Sequence, residues 1–323
     1  MTLRSITHLV LFAVTGLFLS SCSSRLDDYG YLLIGKPAGK MTRPSGHEVQ
    51  ITYLGTNGYI VRSHDTTIVI DPYFTRMPMR AIVLNSRVEP SYPEIRKAAH
   101  HAGLAKKVDG FLVTHAHFDH HFDVPVMQRM FGGKIIGSQT AGHLAEASGV
   151  FRRDLLPSKV GTVHRIGNAK VRVLASEHDR IFGCLPFPGV VDHEMEAPPA
   201  GVRDWVMGEP LAYLIEIEGH RIYIESGGAP GQIPAVKDVD IAIVGVAVKG
   251  SQQRYPDAVR QLNPRYVIPS HQDNFFTPMD SGFRFSALAD FPQILASHKA
   301  GNLPGRLILM DYFDTISTAE LPR

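Results

Sequence analysis

At 323 residues the chain can bury a sizeable core, as one large domain or two small ones. Its 33 basic and 31 acidic residues leave a net charge of +2 with no block of like charge. That balance excludes a nucleic-acid electrostatic footprint and a long disordered chain. Sixteen histidines against two cysteines and one tryptophan are the departure from ordinary composition, pointing to metal or acid–base chemistry without placing it.

Residues 1–21 read as a targeting segment. Arg4 supplies a positive start, and residues 9–19 form an apolar run too short to span a bilayer. The run ends in Leu19-Ser20-Ser21-Cys22, which resembles the lipobox of bacterial lipoproteins, cleaved before a cysteine that is then acylated. The alternative is a plain secretory signal with an incidental cysteine. Ser23 rather than Asp follows, so the inner-membrane retention residue is missing. The expectation is a protein of the bacterial cell envelope, lipid-anchored at the outer membrane on its periplasmic side. Cys184 then has no intramolecular partner and is expected to be a buried, inert thiol.

Residues 22–47 mix Ser, Gly, Pro and Lys without periodicity and read as a tether. From 48 to 315 the pattern is that of one folded domain. Strands are predicted at 49–54, 59–61 and 66–70, the last ending at Asp71-Pro72. A helix follows over 92–106, then a buried strand at 110–114 that runs into a histidine cluster. Helices at 125–130 and 140–147 flank a strand at 134–137. Residues 162–166 and 170–176 make a hairpin around Gly167-Asn168. Strands at 211–218, 221–225, 241–246, 266–268 and 307–310 come next, with helices at 257–262 and 285–298. Strand clusters with helices interspersed suggest two packed sheets with helices outside.

The informative segment is Thr114-His115-Ala116-His117-Phe118-Asp119-His120-His121. Alternate residues of an extended segment face the same way, so His115 and His117 can grip one ion together. Asp119 and His120 lie one step further, where the chain turns, and can reach a second ion. Imidazole and carboxylate are ligand types that Zn²⁺ accepts.

Here the chain resembles the metallo-β-lactamase superfamily, whose hallmark is that hexapeptide on a strand and loop. The resemblance runs over residues 49–310 and takes in Leu54-Gly55, Asp71-Pro72 and Pro269-Ser270-His271. It is nearest to the branch holding the phospholipase D of N-acyl phosphatidylethanolamines and the ascorbate-lactone hydrolases. It implies an α+β fold, a four-layer αββα sandwich. It also implies that His115, His117 and His178 hold a first metal and that Asp119, His120 and His271 hold a second. Asp71 would orient a ligating histidine from behind, and His121 would be a bystander.

One departure stands out. The family places a metal-bridging aspartate in a turn that here reads Glu225-Ser226-Gly227-Gly228, with glycine at the aspartate's position. Asp273, two residues after His271, is the preferred substitute and is expected as a metal ligand. Glu225 is the second choice, and no bridge at all is the third.

The chemistry implied is hydrolysis of an ester, lactone or phosphodiester by a metal-bound hydroxide, with one or two Zn²⁺ ions or similar divalent metals as cofactor and Asp119 in a catalytic role. The partners expected are a small-molecule or lipid substrate and the membrane through acylated Cys22, with no nucleic acid. The insert 179–210, carrying Phe182, Phe187, His193 and Trp205, either caps the pocket or packs as a surface loop. The competing reading is a membrane-tethered binding protein that keeps fold and metal but has lost turnover.

Overall fold

A computed structural model describes residues 25–105, 107–228, 233 and 236–321. Cys22 and the apolar targeting run lie outside the described residues. Among the described residues no helix is long and apolar enough to cross a membrane.

Among the described residues fifteen strands form two sheets. The first has the order β1 (Lys36–Pro37), β15 (Asp314–Ser317), β2 (Gln50–Gly55), β3 (Gly58–Arg62), β4 (Thr67–Ile70), β5 (Gly110–Leu112), β6 (Lys134–Gly137) and β7 (Leu155–Pro157). The second has the order β14 (Arg306–Leu307), β13 (Tyr266–Ser270), β12 (Ile241–Gly245), β11 (His220–Ile224), β10 (Leu211–Ile217), β9 (Ala169–Ala175) and β8 (Val163–Ile166).

The period-2 alternation of the strands decides how these sheets stack. Leu211, Tyr213, Ile215 and Ile217 of β10 point into a core shared with Ile51, Val61, Ile68 and Leu112 of the first sheet. Ala212 and Leu214, the residues between, face the opposite way into a core with Tyr255, Val259 and Leu262. A third core covers the other face of the first sheet, where Val69 and Phe111 meet Ile95, Ala98, Met127 and Leu144. Three cores between successive layers make four layers. Helices α2 (Tyr92–His101), α4 (Val124–Phe131) and α5 (Gln139–Ala147) lie on the first sheet, and α6 (Lys249–Leu262) and α7 (Phe291–Ala300) on the second. Two short helices, α1 (Met79–Val83) and α3 (Phe118–His121), sit in the loops between.

Several expectations are corrected. Residues 25–47 are not a free tether, because Leu26 is buried in the core between the second sheet and its helices and β1 pairs with β15. Helix α2 stops at His101 because Gly103 takes a left-handed φ of +65°, a conformation that ends helices. Helix α6 begins at Lys249, not 257, despite Pro256 inside it. A proline in a helix interior costs about 3 kcal/mol. Burial of Ser251, Gln252, Tyr255, Ala258, Val259 and Leu262 on one face outweighs that cost. Helix α7 starts at Phe291, where the Asp290 side chain caps the Gln293 amide at 3.1 Å. Cys184 is exposed, not buried.

Candidate metal centre

Strand ends from both sheets converge on one point. His115 lies three residues past β5, Asp71 directly past β4, His178 three past β9, Ser226 two past β11 and His271 directly past β13. Asp71 and His271 hold left-handed backbones with φ of 40° and 58°. Such strain in non-glycine residues collects at functional sites, where the surroundings over-determine it. His117 ends the extended segment and caps α3, so the chain turns there and sends Asp119 and His120 toward the second trio.

Ligand atoms of His115, His117 and His178 lie within 4.8 Å of one another, as do those of His115, Asp119 and His120. His271 joins the second group: its Nε2 is 3.1 Å from His120 Nε2 and 3.2 Å from Asp119 Oδ2. His115, His117, Asp119, His120 and His271 are buried, and His178 is half-buried.

The outer partners of these rings decide which nitrogens face inward. Asp71 Oδ2 accepts the His120 Nδ1 proton at 2.9 Å, leaving His120 Nε2 bare. The Asp179 carbonyl accepts from His178 Nδ1 at 2.9 Å, and the Phe187 carbonyl from His117 Nε2 at 3.4 Å. His115 Nδ1 donates to Ser226 Oγ at 3.1 Å. The inner nitrogens of these four rings are therefore lone pairs, and His115 Nε2 faces His117 Nδ1 at 3.0 Å with no proton between them. Converging bare nitrogens beside a carboxylate fit a divalent cation of borderline softness and nothing apolar.

Charge tuning agrees with that fit. Burial pushes His117 down to about 3, helped by His178, and holds His115 far below the usual imidazole range. Burial would raise Asp119, yet His120 and His271 keep it well below the usual carboxylate range. Burial also opposes a charge on His120, but Asp119 and Asp71 outweigh it and lift its pKa. The first trio therefore offers neutral imidazoles at His115, His117 and His178, beside an anionic Asp119.

Asp273 does not join them. Its Oδ1 accepts from the Thr56 amide at 2.9 Å, and its Oδ2 accepts from Arg76 Nη1 at 3.0 Å and Tyr312 Oη at 2.7 Å. The expectation of Asp273 as a metal ligand is corrected: its carboxylate is taken up by a buried ion pair. Glu225 is occupied too, accepting from the Gly228 and Gly245 amides at 2.7 and 2.8 Å, and burial pushes it up to about 8. At Gly227, where the bridging aspartate would fall, a Cβ would run into the Glu177 carbonyl and lie 3.0 Å from His178 Cα. Main chain seals the aspartate's place.

His121 is buried against Trp205, 5.4 Å between ring centres, and belongs to neither group of candidate ligands. His193 is exposed beside Asp192. The insert touches the centre at Phe187 and is open to solvent at Phe182. Phe187 packs 5.9 Å from the His117 ring, and the Met207 carbonyl accepts from the Ala116 amide at 2.9 Å, while Phe182 stays 66% exposed. Across the centre Phe275 lies 5.1 Å from the His271 ring, and Phe118 lies between the two phenyl groups at 6.1 and 6.4 Å.

Sequence reasoning missed the outer support. Asn57 Nδ2 donates to Asp71 Oδ2 at 2.9 Å, and Ser270 Oγ donates to Asn57 Oδ1 at 2.8 Å. The polar Thr56-Asn57 pair inside a turn between two apolar strands was the available signal.

A two-sheet sandwich with helices on both outer faces and a cluster of six candidate ligands at its strand ends is the arrangement of the metallo-β-lactamase class of proteins. Residues 50–271 match the family described as Beta-lactamase superfamily domain. The chain belongs to that family and is a hydrolase of the metallo-β-lactamase superfamily. Among curated relatives it is 26% identical to a UPF0173 metal-dependent hydrolase of Cupriavidus taiwanensis, over 74% of this chain and 79% of that one. It is 23% identical to a UPF0173 protein of Pyrococcus furiosus, over 70% and 85%. Among solved structures it resembles Igni18, a metallo hydrolase of Ignicoccus hospitalis, with a TM-score of 0.56 and 17% identity over 85% of this chain and 100% of that one. It also resembles the metallo-β-lactamase fold protein YhfI of Bacillus subtilis, with a TM-score of 0.52 and 12% identity over 84% and 99%.

Proposed function

We propose that the protein is a lipid-anchored hydrolase of the bacterial envelope that cleaves an ester, lactone or phosphodiester bearing an apolar group. The observation that carries this is the convergence of bare imidazole nitrogens and the Asp119 carboxylate beside a phenylalanine rim. His115, His117 and His178 would hold one ion and Asp119, His120 and His271 a second, with Zn²⁺ favoured by the nitrogen-rich set. A bound divalent ion supplies an activated water near neutral pH and a Lewis acid for the scissile oxygen. Asp119 Oδ2 brings a negative charge that can orient a water and take its proton. Phe187 and Phe275, flanking the two trios, exclude bulk water and offer flat apolar surface to an acyl or aryl substituent.

The test is metal analysis of residues 23–323 purified without chelator, then assays with p-nitrophenyl esters of increasing chain length, aliphatic lactones and bis(p-nitrophenyl) phosphate. Turnover on one class is expected, abolished by chelator, restored by Zn²⁺ and rising with the size of the apolar group. A protein that neither carries nor takes up metal would sink the reading. The sealed position at Gly227 favours the second reading, a binding protein without turnover. That reading gains if Zn²⁺ binds and all three substrate classes stay intact.

Anchoring has its own prediction. Each buried CH₂ of an acyl chain contributes roughly 0.8 kcal/mol, so several chains on Cys22 hold firmly. The variant Cys22→Ser is expected to move the full chain from the membrane pellet to the soluble fraction. Unchanged sedimentation with membranes would count against acylation.

A further inference from the structure

We propose that Ser226 is a positioning residue that stands in for the missing bridge: it couples the two metal trios through a hydrogen-bond relay ending on Asp71. The relay rests on the metal-binding reading above, and its direction follows from the chemistry of its members. Asp71 Oδ2 accepts from Asn57 Nδ2, which can only donate, so the Thr114 hydroxyl donates to the same oxygen. With its one proton spent, Thr114 Oγ1 accepts the Ser226 hydroxyl at 2.8 Å. Ser226 Oγ is then left to accept the Nδ1 proton of His115 at 3.1 Å. His115 is thereby fixed with Nε2 bare and turned toward His117 and His178.

The same Asp71 Oδ2 accepts directly from His120 Nδ1. One carboxylate thus orients and polarises an imidazole in each trio, directly for His120 and through two hydroxyls for His115. Asp71 Oδ1 is pinned by the Thr114 amide at 2.8 Å, so the carboxylate cannot rotate away from either task. Thr114, Ser226 and Asp71 are all buried, which keeps water out of the chain of hydroxyls. A family bridge would join the two sites from inside, between the ions. Here main chain fills that place at Gly227, and the residue beside it joins them from outside.

Removing the outer partner of a ligating histidine weakens metal binding about 10- to 100-fold. The experiment is competition of Co²⁺ and Zn²⁺ against a chromophoric chelator, read for wild type, Ser226→Ala, Ser226→Thr and Thr114→Val. In Ser226→Ala one metal equivalent is expected to weaken by about tenfold or more, and Ser226→Thr, which keeps the hydroxyl, to recover most of the loss. Thr114→Val should weaken binding like Ser226→Ala, and the double variant no further than either alone. Circular dichroism in excess chelator, equal for wild type and variants, separates lost positioning from lost fold. Unchanged dissociation constants in Ser226→Ala, or equal losses in the alanine and threonine variants, would overturn the relay alone. A wild type that binds neither ion would overturn the relay and the metal reading together.

Discussion

Asp119→Ala is expected to lower kcat/KM at least about a hundredfold and to lose the more weakly bound metal equivalent. Asp119 is the one anionic group among the six candidate ligands, and the other five are imidazoles. Losing the outer support of a ligand already costs about 10- to 100-fold, so losing the ligand itself must cost more. The change also removes the first charge that keeps His120 basic, leaving Asp71 alone behind that ring. Asp119→Asn separates charge from shape, since it keeps the side chain's volume and an oxygen. Steady-state rates on the responsive substrate, with metal counted at saturation, check both. Turnover within about tenfold of wild type would remove Asp119 from the chemistry.

The local part of the centre was legible because its spacing is itself the geometry. An extended segment turns at His117, so i and i+2 face one way and the following turn faces another, and this needs no tertiary information. His178 and His271 were legible from their places just past buried strands, where side chains collect at one edge of the sheets. Asp273 sat at the same kind of place and was misread. The reason is Arg76, which is 197 residues away in the chain and reaches the same carboxylate. No local spacing reports such a partner, although a single arginine in the apolar run Tyr73-Phe74-Thr75-Arg76-Met77-Pro78 was a trace of it. Ser226 was quoted only as part of a defective turn, and its role depends on Thr114 across the sheet interface.

The fold follows the same division. Strands with strict alternation, such as β9 and β10, lie where the pattern puts them, within a residue or so. Strands β1 and β15 went unread because each is short, and β1 owes its existence to β15, which in turn is held by β2. Their pairing brings the two ends of the described chain together, which is why residues read as a tether belong to the sheet. Helix α6 shows tertiary burial overriding a local stop signal, as weak propensities permit.

Asp273→Ala is expected to destabilise the fold by about 3–5 kcal/mol while leaving the number of metal equivalents unchanged, because it strips the partner from a buried cation. Arg76 and Asp273 are 2% and 0% exposed and 3.0 Å apart. The guanidinium lies between the rings of Tyr73 and Tyr312, 5.7 and 5.6 Å from their centres, and its Nε and Nη2 have no hydrogen-bond partner among the described residues. Burial works against its charge, and Asp273 more than offsets that. Gly55, at a φ of +85°, leaves the space that Nη2 occupies, since a Cβ there would collide with it. The pair therefore ties the loop after β4, which starts at Asp71, to the loop that carries His271. Chemical denaturation of the metal-free protein reads the loss directly, and metal counting at saturation reads the site. Adding Arg76→Met to Asp273→Ala should recover part of the stability, because no buried charge is then left unpaired. A stable Asp273→Ala variant that has lost one metal equivalent would reverse the assignment and return the carboxylate to the metals.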